Sequence, residues 1–236
     1  RLGSVNLQKF QINPKGEVMK KGMFIALEGI DYAGKDSQAL KLVEWLKKMG
    51  HQVGFSNEPN DNALNGSPLG HTIRKMLKGE MEKPEPFEFQ RMYLLDRGQD
   101  IFCFIKPVID KGGVYVIIRY GFSTIAYGTL SGKPAEAFIQ LHREVLGTSL
   151  IWPDMTFLID ISGKESARRM ATAKNNPEFF EKKDKLEKVR QAYLTLAKNP
   201  EFNNSIYVVN GEQNEDKVFE DIKKIVFYKL PPIITK

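Results

Sequence analysis

The sequence predicts an α/β fold in which helices cover both faces of a mainly parallel sheet. Short apolar runs rich in β-branched residues alternate along the chain with segments whose apolar residues recur at helical spacing. The runs are continuously apolar, which is typical of strands buried on both faces in a parallel sheet. The five predicted strands occupy residues 23–28, 52–57, 114–118, 155–160 and 206–209.

Helical segments follow these strands and complete the alternation. After the first strand, Leu40, Val43, Leu46 and Met49 recur at helical spacing, and Gly50 provides a natural C-terminal stop. A proline in the longest helical stretch predicts a bend or an interruption, because proline donates no backbone hydrogen bond. The predicted helices occupy residues 36–49, 69–77, 87–110, 119–128, 135–146, 164–170, 186–198 and 215–227, with Pro107 as the expected break.

Composition and charge restrict the class of protein. The 236 residues carry a net charge of +6, which favours anionic ligands. The charge is spread along the chain, so a nucleotide pocket is favoured over a nucleic-acid surface. A single cysteine, Cys103, excludes an internal disulfide and fits a reducing, cytoplasmic compartment. No apolar run approaches the roughly 18 residues of a membrane-spanning helix, so no membrane is expected as a partner.

The length suits one α/β domain, which we place at residues 23–230. Residues 1–22 are polar and are interpreted as an N-terminal extension with little structure of its own; they lack the apolar centre of a signal peptide. A polar segment at about 171–183 is expected to form a mobile lid. Residues 231–236 form a tail that begins with two prolines and cannot continue the last helix.

One stretch dominates the chain: an apolar strand, a glycine-bounded turn, a lysine and then a helix. Residues 29–35 have the spacing G-x-x-x-x-G-K, the pattern of a phosphate-binding loop. Backbone N–H groups in such a loop point at anionic oxygens, and the positive end of the following helix adds to the attraction. Lys35 is expected to reach the outer phosphates as a point charge. The predicted nucleotide-binding residues are Gly29, Ile30, Asp31, Tyr32, Ala33, Gly34, Lys35, Asp36 and Ser37.

Ligands of parallel α/β sheets bind where the carboxyl ends of the strands meet. That rule gathers several polar residues at one cleft: Asp31, Lys35, Glu58, Arg119, Tyr120 and Asp160. Phosphoryl transfer needs positive charge around the transferred group and around the acceptor phosphate. The arginines considered for this task are Arg74, Arg97, Arg119, Arg168 and Arg169. A surface salt bridge is the competing interpretation, above all for Arg74.

Tyr93 and Arg97 are four residues apart on the longest predicted helix. They therefore share one face and can contact the same ligand. An aromatic ring can stack on a base while a guanidinium donates to its carbonyl, which predicts a base-binding pair. Taken alone, an aromatic at helical spacing is more often part of the core, so this interpretation depends on the surrounding segments.

Taken in order, these segments resemble the thymidylate kinases, P-loop enzymes that transfer the γ-phosphoryl group of ATP to thymidine monophosphate (dTMP). The resemblance covers about 23–228, as a divergent member, and rests on the joint order of its motifs. The motifs are Leu27-Glu28-Gly29-Ile30-Asp31 with Ala33-Gly34-Lys35, Glu58-Pro59 with Pro68-Leu69-Gly70 and Ile73-Arg74, Leu94-Leu95-Asp96-Arg97, Arg119-Tyr120 with Ser123 and Ala126-Tyr127, Pro153 to Asp160, and Glu181 to Ala197. The family implies a P-loop NTPase-type three-layer α/β/α sandwich with a lid, ATP and dTMP as substrates, Mg²⁺ as cofactor and a homodimer.

The resemblance also implies roles for individual residues. The expected catalytic residues are Lys35, Arg119, Asp31 and Asp36, of which Asp31 and Asp36 are the expected Mg²⁺ ligands. The expected acceptor site consists of Asp31, Glu58, Arg74, Tyr93, Arg97, Arg119, Tyr120, Ser123 and Tyr127. In it Tyr93 lies on the thymine face and Arg97 on its carbonyl. Residues 29–37 are the expected ATP site, and the expected lid residues are Arg168, Arg169 and Lys174.

Two positions depart from the family. The residue after the loop lysine, where the family has a Ser or Thr whose hydroxyl ligates Mg²⁺, is Asp36, and Ser37 follows it. The family has Asp-Arg-Tyr after the third strand, and here the first of these residues is Ile118. One interpretation is that the carboxylate has moved from 118 to 36, because a hard cation accepts carboxylate oxygen well. The other is a decayed site; the retained Lys35 and Arg119 favour the first.

Two other functions stay open. A longer segment after Glu58 than in the family leaves room for a kinase of the same fold that acts on another pyrimidine monophosphate, such as dUMP. A catalytically weak nucleotide-binding protein is the alternative from another class. For the implied homodimer, the long apolar helix with Phe102, Phe104 and Ile105 is the predicted interface.

Overall fold

The computed structural model of the chain describes residues 10–12, 18–20, 22–62, 66–174 and 183–230. In this part of the chain, five parallel strands form the central sheet in the order β4-β5-β3-β6-β7, and β1 pairs antiparallel with β2. The strands are β1 Phe10–Ile12, β2 Val18–Lys20, β3 Met23–Glu28, β4 Val53–Asn57, β5 Val114–Ile118, β6 Met155–Asp160 and β7 Ile206–Asn210. The predicted five-stranded parallel sheet is therefore confirmed.

Helices cover both faces of the sheet and give the predicted three layers. They are α1 Lys35–Lys48, α2 Pro68–Lys78, α3 Pro86–Asp100, α4 Lys106–Ile109, α5 Gly121–Gly128, α6 Ala135–Leu146, α7 Gly163–Lys174, α8 Lys183–Lys198 and α9 Glu215–Lys229. Successive residues of β3 point to opposite faces, so Ile25 and Leu27 join one core cluster while Phe24 and Ala26 join the other. All four side chains are buried, which explains why the strand is continuously apolar in sequence.

The interruption expected around Pro107 is present. Between α3 and α4 the backbone widens into a π-helical segment, Ile101–Ile105, which directly precedes the short helix containing the proline. The missing backbone N–H of Pro107 leaves a gap in the regular hydrogen-bond ladder, and a wider turn accommodates the ring. This segment carries Ile101 and Ile105 into the core beneath β3 and β5.

Several predicted segments fall wholly or partly outside the described residues. These are most of the N-terminal extension, most of the lid (175–182) and the tail at 231–236. Within the extension, Phe10 pairs with Lys20 and Ile12 with Val18, a short antiparallel ladder that the sequence analysis did not anticipate. Among the helices that the structure describes, none combines the length and the apolarity needed to cross a bilayer.

Candidate active site

The loop between β3 and α1 has the backbone geometry of a phosphate-binding loop. Gly29 has a φ of 140°, and a Cβ there would lie 2.6 Å from the carbonyl oxygen of Ile159, so a side chain does not fit. Gly34, at φ 95°, is the residue from which α1 begins. Lys35 is buried, and its Nζ donates to the Ile30 carbonyl at 2.7 Å. The lysine is thus folded over the loop and held by it.

The pKa of Lys35 lies close to neutral pH. Burial, and next the neighbouring Arg119 guanidinium, lower the pKa of Lys35 to about 7, against the opposing effect of Asp31 and Asp36. An anion placed in the loop favours the protonated form for the same electrostatic reason. Lys35 is therefore expected to gain positive charge when an anion occupies the loop.

Asp31 and Arg119, both expected to be catalytic, form an ion pair across the cleft. Arg119 follows β5 with a left-handed φ of 63°, which turns its side chain toward the loop. Its guanidinium lies 5.3 Å from the centre of the Tyr127 ring, and the Tyr127 hydroxyl donates to Asp31 at 3.3 Å. Arg119 Nη1 also donates to Ser123 Oγ at 3.3 Å. The ends of β3 and β5 are thereby joined into one charged wall.

Glu28, the last residue of β3, organises this wall, although it was quoted in the sequence only as part of the loop motif. Its carboxylate accepts hydrogen bonds from the Tyr120 N–H at 2.8 Å, the Ser123 hydroxyl at 2.5 Å and the Tyr193 hydroxyl at 3.0 Å. Burial raises the pKa of Glu28, while these hydrogen bonds and Arg119 oppose the rise. An acidic residue that ends a buried strand is the signal that could have identified it.

Asp36 presents an exposed carboxylate in the first turn of α1. Within the described residues it has no hydrogen bond or ion pair, whereas Asp31, the other expected metal ligand, is held by Arg119 and Tyr127. Ser37 Oγ donates back to the Gly34 carbonyl at 3.1 Å. The described part of the chain has no cluster of three metal-binding side chains. Mg²⁺ is commonly held by one or two carboxylates together with substrate phosphates, so this donor set fits.

On the acceptor side, Arg97 is completely buried and bound by protein groups. Its Nε donates to Glu58 Oε1 at 2.9 Å and its Nη2 to Glu58 Oε2 at 2.5 Å and to Thr124 Oγ1 at 3.0 Å. Its Nη1 lies 2.6 Å from His142 Nε2, while His142 Nδ1 lies 2.7 Å from the Phe138 carbonyl. Since a carbonyl only accepts, Nδ1 carries the proton and Nε2 accepts from Arg97. Burial and Arg97 lower the pKa of His142 to about 3.

The segment after β4 is fastened to α3 by acidic side chains that the sequence analysis assigned no role. Asp96 accepts from the Asn60 N–H at 3.0 Å and from the Ser67 hydroxyl, and Asp100 accepts from Asn60 Nδ2 at 2.7 Å. Burial raises the pKa of Asp100 to about 6. Their partners lie 29 to 40 residues away in sequence, so local spacing offers no indication of these contacts.

Tyr93 is half-buried between charged groups of the cleft. Burial raises the pKa of its hydroxyl, and the charges of Arg119 and Arg74 oppose that rise. Arg74 itself is paired with Asp61, through Nε to Oδ2 at 3.0 Å and Nη2 to Oδ1 at 3.1 Å. Tyr93 therefore lies within the electrostatic influence of two arginines expected to bind the acceptor, Arg119 and Arg74.

Tyr120, expected to contact substrate, lies in the core instead. It has no solvent exposure, and its hydroxyl donates to the Ile151 carbonyl at 2.9 Å. The Arg97 guanidinium lies 4.6 Å from the centre of the Tyr120 ring, so the tyrosine supports the arginine. Asp160, also placed at the cleft from sequence, forms a two-bond ion pair with Arg190 of α8.

A cavity of about 250 Å³ lies beside the phosphate loop. Arg169 reaches across it: Nη1 donates to the Tyr32 carbonyl at 3.3 Å and Nη2 to the Gly211 carbonyl at 2.8 Å, while Glu165 holds Nε at 2.7 Å. Arg168 is exposed and pairs with Glu165. The side chain of Lys174 lies outside the described residues. The cavity is lined by Ala33, Gly34, Ser37, Gln38, Arg169, Gly211, Gln213, Glu215 and Val218.

A parallel sheet with this loop, a buried lysine and arginines facing it defines a P-loop phosphotransferase of the nucleotide kinase class. The family model "Thymidylate kinase" matches residues 27–222. A probable thymidylate kinase of Thermococcus kodakarensis is 33% identical over 211 residues, covering 86% of this chain and 97% of the relative. A thymidylate kinase of Maridesulfovibrio salexigens is 31% identical over 217 residues, covering 88% and 96%. The chain belongs to the thymidylate kinase family, whose members are phosphotransferases that use ATP.

A solved structure supports the fold. The crystal structure of thymidylate kinase from Ehrlichia chaffeensis superposes with a TM-score of 0.66 at 23% identity. The superposition covers 88% of this chain and 99% of that one. The fold is thus shared, although fewer than a quarter of the residues are the same.

Proposed function

We propose that this protein transfers the γ-phosphoryl group of ATP to dTMP, forming ADP and dTDP. The observation that carries the proposal is the ion pair between Asp31 of the phosphate loop and Arg119 at the end of β5. The pair joins the loop to the end of β5, which supports a donor site and an acceptor-binding arginine on one edge of the sheet, as in-line phosphoryl transfer requires. Family membership supports dTMP as the acceptor.

The donor is held from two sides. The backbone N–H groups of residues 29–37 and the ammonium of Lys35 bind the β- and γ-phosphates. The nucleoside of a triphosphate bound there extends into the cavity between the loop and Gly211. Arg169 spans that cavity and links the loop to the segment after β7 through backbone carbonyls.

The acceptor occupies the opposite wall. Arg119 and Arg74 bind its phosphate, and the Tyr93 ring lies beside its base. Arg97 is kept in a single orientation by Glu58, Thr124 and His142, and because it is fully buried it supports this wall from behind rather than contacting the base. The acceptor phosphate itself is the nucleophile, so the protein contributes position and charge.

Mg²⁺ is assigned to the Asp36 carboxylate together with the donor phosphates. Held by Asp36, the ion would supply positive charge that offsets the negative charge of the donor phosphates during transfer. Asp36 meets the requirement for an accessible oxygen ligand at the edge of the loop. Asp31 instead orients Arg119, because its carboxylate is already engaged by that residue and by Tyr127.

Steady-state turnover tests this proposal. ADP formation is measured with ATP and Mg²⁺ against dTMP, dUMP, dCMP and dGMP, and the largest kcat/KM is expected with dTMP. A preference for dUMP would identify a kinase of the same fold with another acceptor. Calorimetric binding of ATP and dTMP with no ADP formed would instead identify a nucleotide-binding protein without turnover. Either result overturns the proposed reaction.

The proposed enzyme is a homodimer and acts in the cytoplasm. Leu95 and Phe102, which are seven residues apart on α3 and the π-helical segment, are 52% and 79% exposed, an apolar pair at helical spacing. Of the other residues predicted for the interface, Ile105 is fully buried in the core and Phe104 packs against it. Sedimentation equilibrium is expected to show a dimer for the unaltered chain and a monomer for Leu95→Glu/Phe102→Glu. A double variant that stays dimeric contradicts this interface.

A further inference from the structure

The Arg74 guanidinium is occupied by a carboxylate of the segment after β4. Asp61 binds it with both oxygens, at 3.0 Å to Nε and 3.1 Å to Nη2, and Nη2 also donates to the Pro59 carbonyl at 3.2 Å. Two parallel N–H···O bonds are the geometry in which arginine binds a phosphate. Asp61 therefore fills the edge of Arg74 that an acceptor phosphate needs.

The pair faces the cleft. Burial raises the pKa of the Tyr93 hydroxyl and the charges of Arg119 and Arg74 oppose that rise, so both guanidinium groups act on the same side chain. The side chains of Arg74 and Asp61 are 29% and 32% exposed, which leaves them open to a ligand arriving from solvent. Arg119 is also paired with a carboxylate, that of Asp31, although through a single N–H group.

The backbone that carries Asp61 is fastened in place. The neighbouring Asn60 is bound through its N–H by Asp96 and through its side chain by Asp100, and its carbonyl accepts from the Ser67 N–H at 3.0 Å. The Asp61 N–H donates to the Pro59 carbonyl at 3.1 Å. Since the backbone is held, the carboxylate can leave Arg74 by rotation of its own side chain.

We propose that Asp61 sets the affinity of the acceptor site, by occupying the anion-binding edge of Arg74 until the phosphate of a nucleoside monophosphate replaces it. The inference rests on the proposed function, in which Arg74 binds the acceptor phosphate. A phosphate dianion and the Asp61 carboxylate repel each other beside a single guanidinium, so part of the binding free energy is used to displace Asp61. A nucleoside without a phosphate does not displace Asp61, so its binding free energy is not reduced in this way.

The test is Asp61→Asn, which keeps a carbonyl acceptor for Arg74 and removes the charge. The expected result is a KM for dTMP lowered about two- to fivefold, in the range of a partly exposed ion pair, with kcat and the KM for ATP unchanged. Glu201→Gln is the matched control, because Glu201 forms a two-oxygen pair with Arg143 away from the cleft. Its KM for dTMP is expected to equal that of the unaltered protein.

Calorimetry separates the contribution of the phosphate to the binding affinity from that of the nucleoside. Asp61→Asn is expected to tighten binding of dTMP and of inorganic phosphate, and to leave the affinity for thymidine unchanged. A KM for dTMP that rises or stays the same, or an equal gain for thymidine, overturns the inference. Asp61→Ser, measured in the same way, provides the result if the asparagine variant does not fold. Absence of turnover with every monophosphate defeats the proposed function, whereas the binding comparison of dTMP with thymidine still decides the role of Asp61.

Discussion

The guanidinium of Arg97 and the carboxylate of Glu58 form a two-bond ion pair that is removed from solvent, with side-chain exposures of 0% and 2%. Burial raises the pKa of Glu58 and Arg97 opposes the rise, so each charge depends on the other. The pair connects the end of β4 to the last turn of α3, the helix that carries Tyr93. The acceptor wall is therefore built around a single buried contact.

Removal of one partner of this pair is expected to be strongly destabilising. Arg97→Met leaves the Glu58 carboxylate buried without a counter-charge, and we expect the free energy of unfolding to fall by about 3–5 kcal/mol. Urea denaturation measures the change. Arg143→Met is the control, since its partner Glu201 is exposed and such pairs contribute about 0–1 kcal/mol. Equal losses for the two variants would contradict a special role for the buried pair.

Nucleotide binding is expected to take up a proton at Lys35. The pKa of Lys35 is about 7 in the free protein, and bound phosphates raise it, so above pH 7 the free lysine is largely neutral and the bound lysine is protonated. The affinity for a non-hydrolysable ATP analogue should fall as the pH rises from 7 toward 10. At pH 8, titrations in buffers with different ionisation enthalpies should give different binding heats. Buffer-independent heats, or the same proton uptake in Lys35→Met, would exclude Lys35 as the group.

Asp36 is expected to control the metal requirement. In Asp36→Ala the concentration of Mg²⁺ for half-maximal nucleotide binding should rise at least about tenfold, because one carboxylate ligand is lost. Binding of ATP in EDTA should become tighter, because the carboxylate no longer repels the phosphates. Glu136→Ala, which removes an exposed acid from the first turn of α6, is the control. An unchanged Mg²⁺ requirement in Asp36→Ala would show that Asp36 is not a ligand of the metal.

Ser166 of α7 is expected to support the phosphate loop. Its buried hydroxyl donates to the Asp31 carbonyl at 2.6 Å, next to Tyr32, which has a left-handed φ of 59°. Ser166→Ala should lower the free energy of unfolding by about 1–3 kcal/mol and raise the KM for ATP several-fold, because the carbonyl loses its donor. Thr172→Ala removes an exposed hydroxyl bound to the Arg168 carbonyl in the same helix and should change neither quantity measurably. Identical effects of the two substitutions would contradict the proposed support.

The fold was largely predictable because its strands and helices have distinct apolar periods. Every predicted strand of the sheet is present with ends shifted by at most one residue, and the break expected near Pro107 appears as a π-helical segment. The phosphate loop was predictable for a similar local reason: glycine at 29 and 34 is required by backbone angles and close contacts within a few residues.

Pair formation among distant charges was not predictable in this way. Glu58 and Arg97 are 39 residues apart, and Glu28 meets Tyr193 from 165 residues away. Sequence spacing indicates which face of a helix or strand a residue occupies, while the partner across the cleft depends on strand order and on how the helices pack. Tyr120 shows the difference: it follows a buried strand, as expected for a cleft residue, but an extended backbone with φ −156° directs it into the core.

The amino-acid sequence thus established a phosphate-binding α/β domain and the side chains available to it, because hydrophobic period and glycine placement are local properties. Three-dimensional packing assigned those side chains their partners: Asp31 to Arg119, Asp61 to Arg74 and Glu58 to Arg97. The physical reason is that a charge removed from water needs an opposite charge beside it, and the topology of the fold decides which residue supplies that charge. The residue types therefore determine which chemical groups the site contains, and the long-range contacts determine how those groups are arranged.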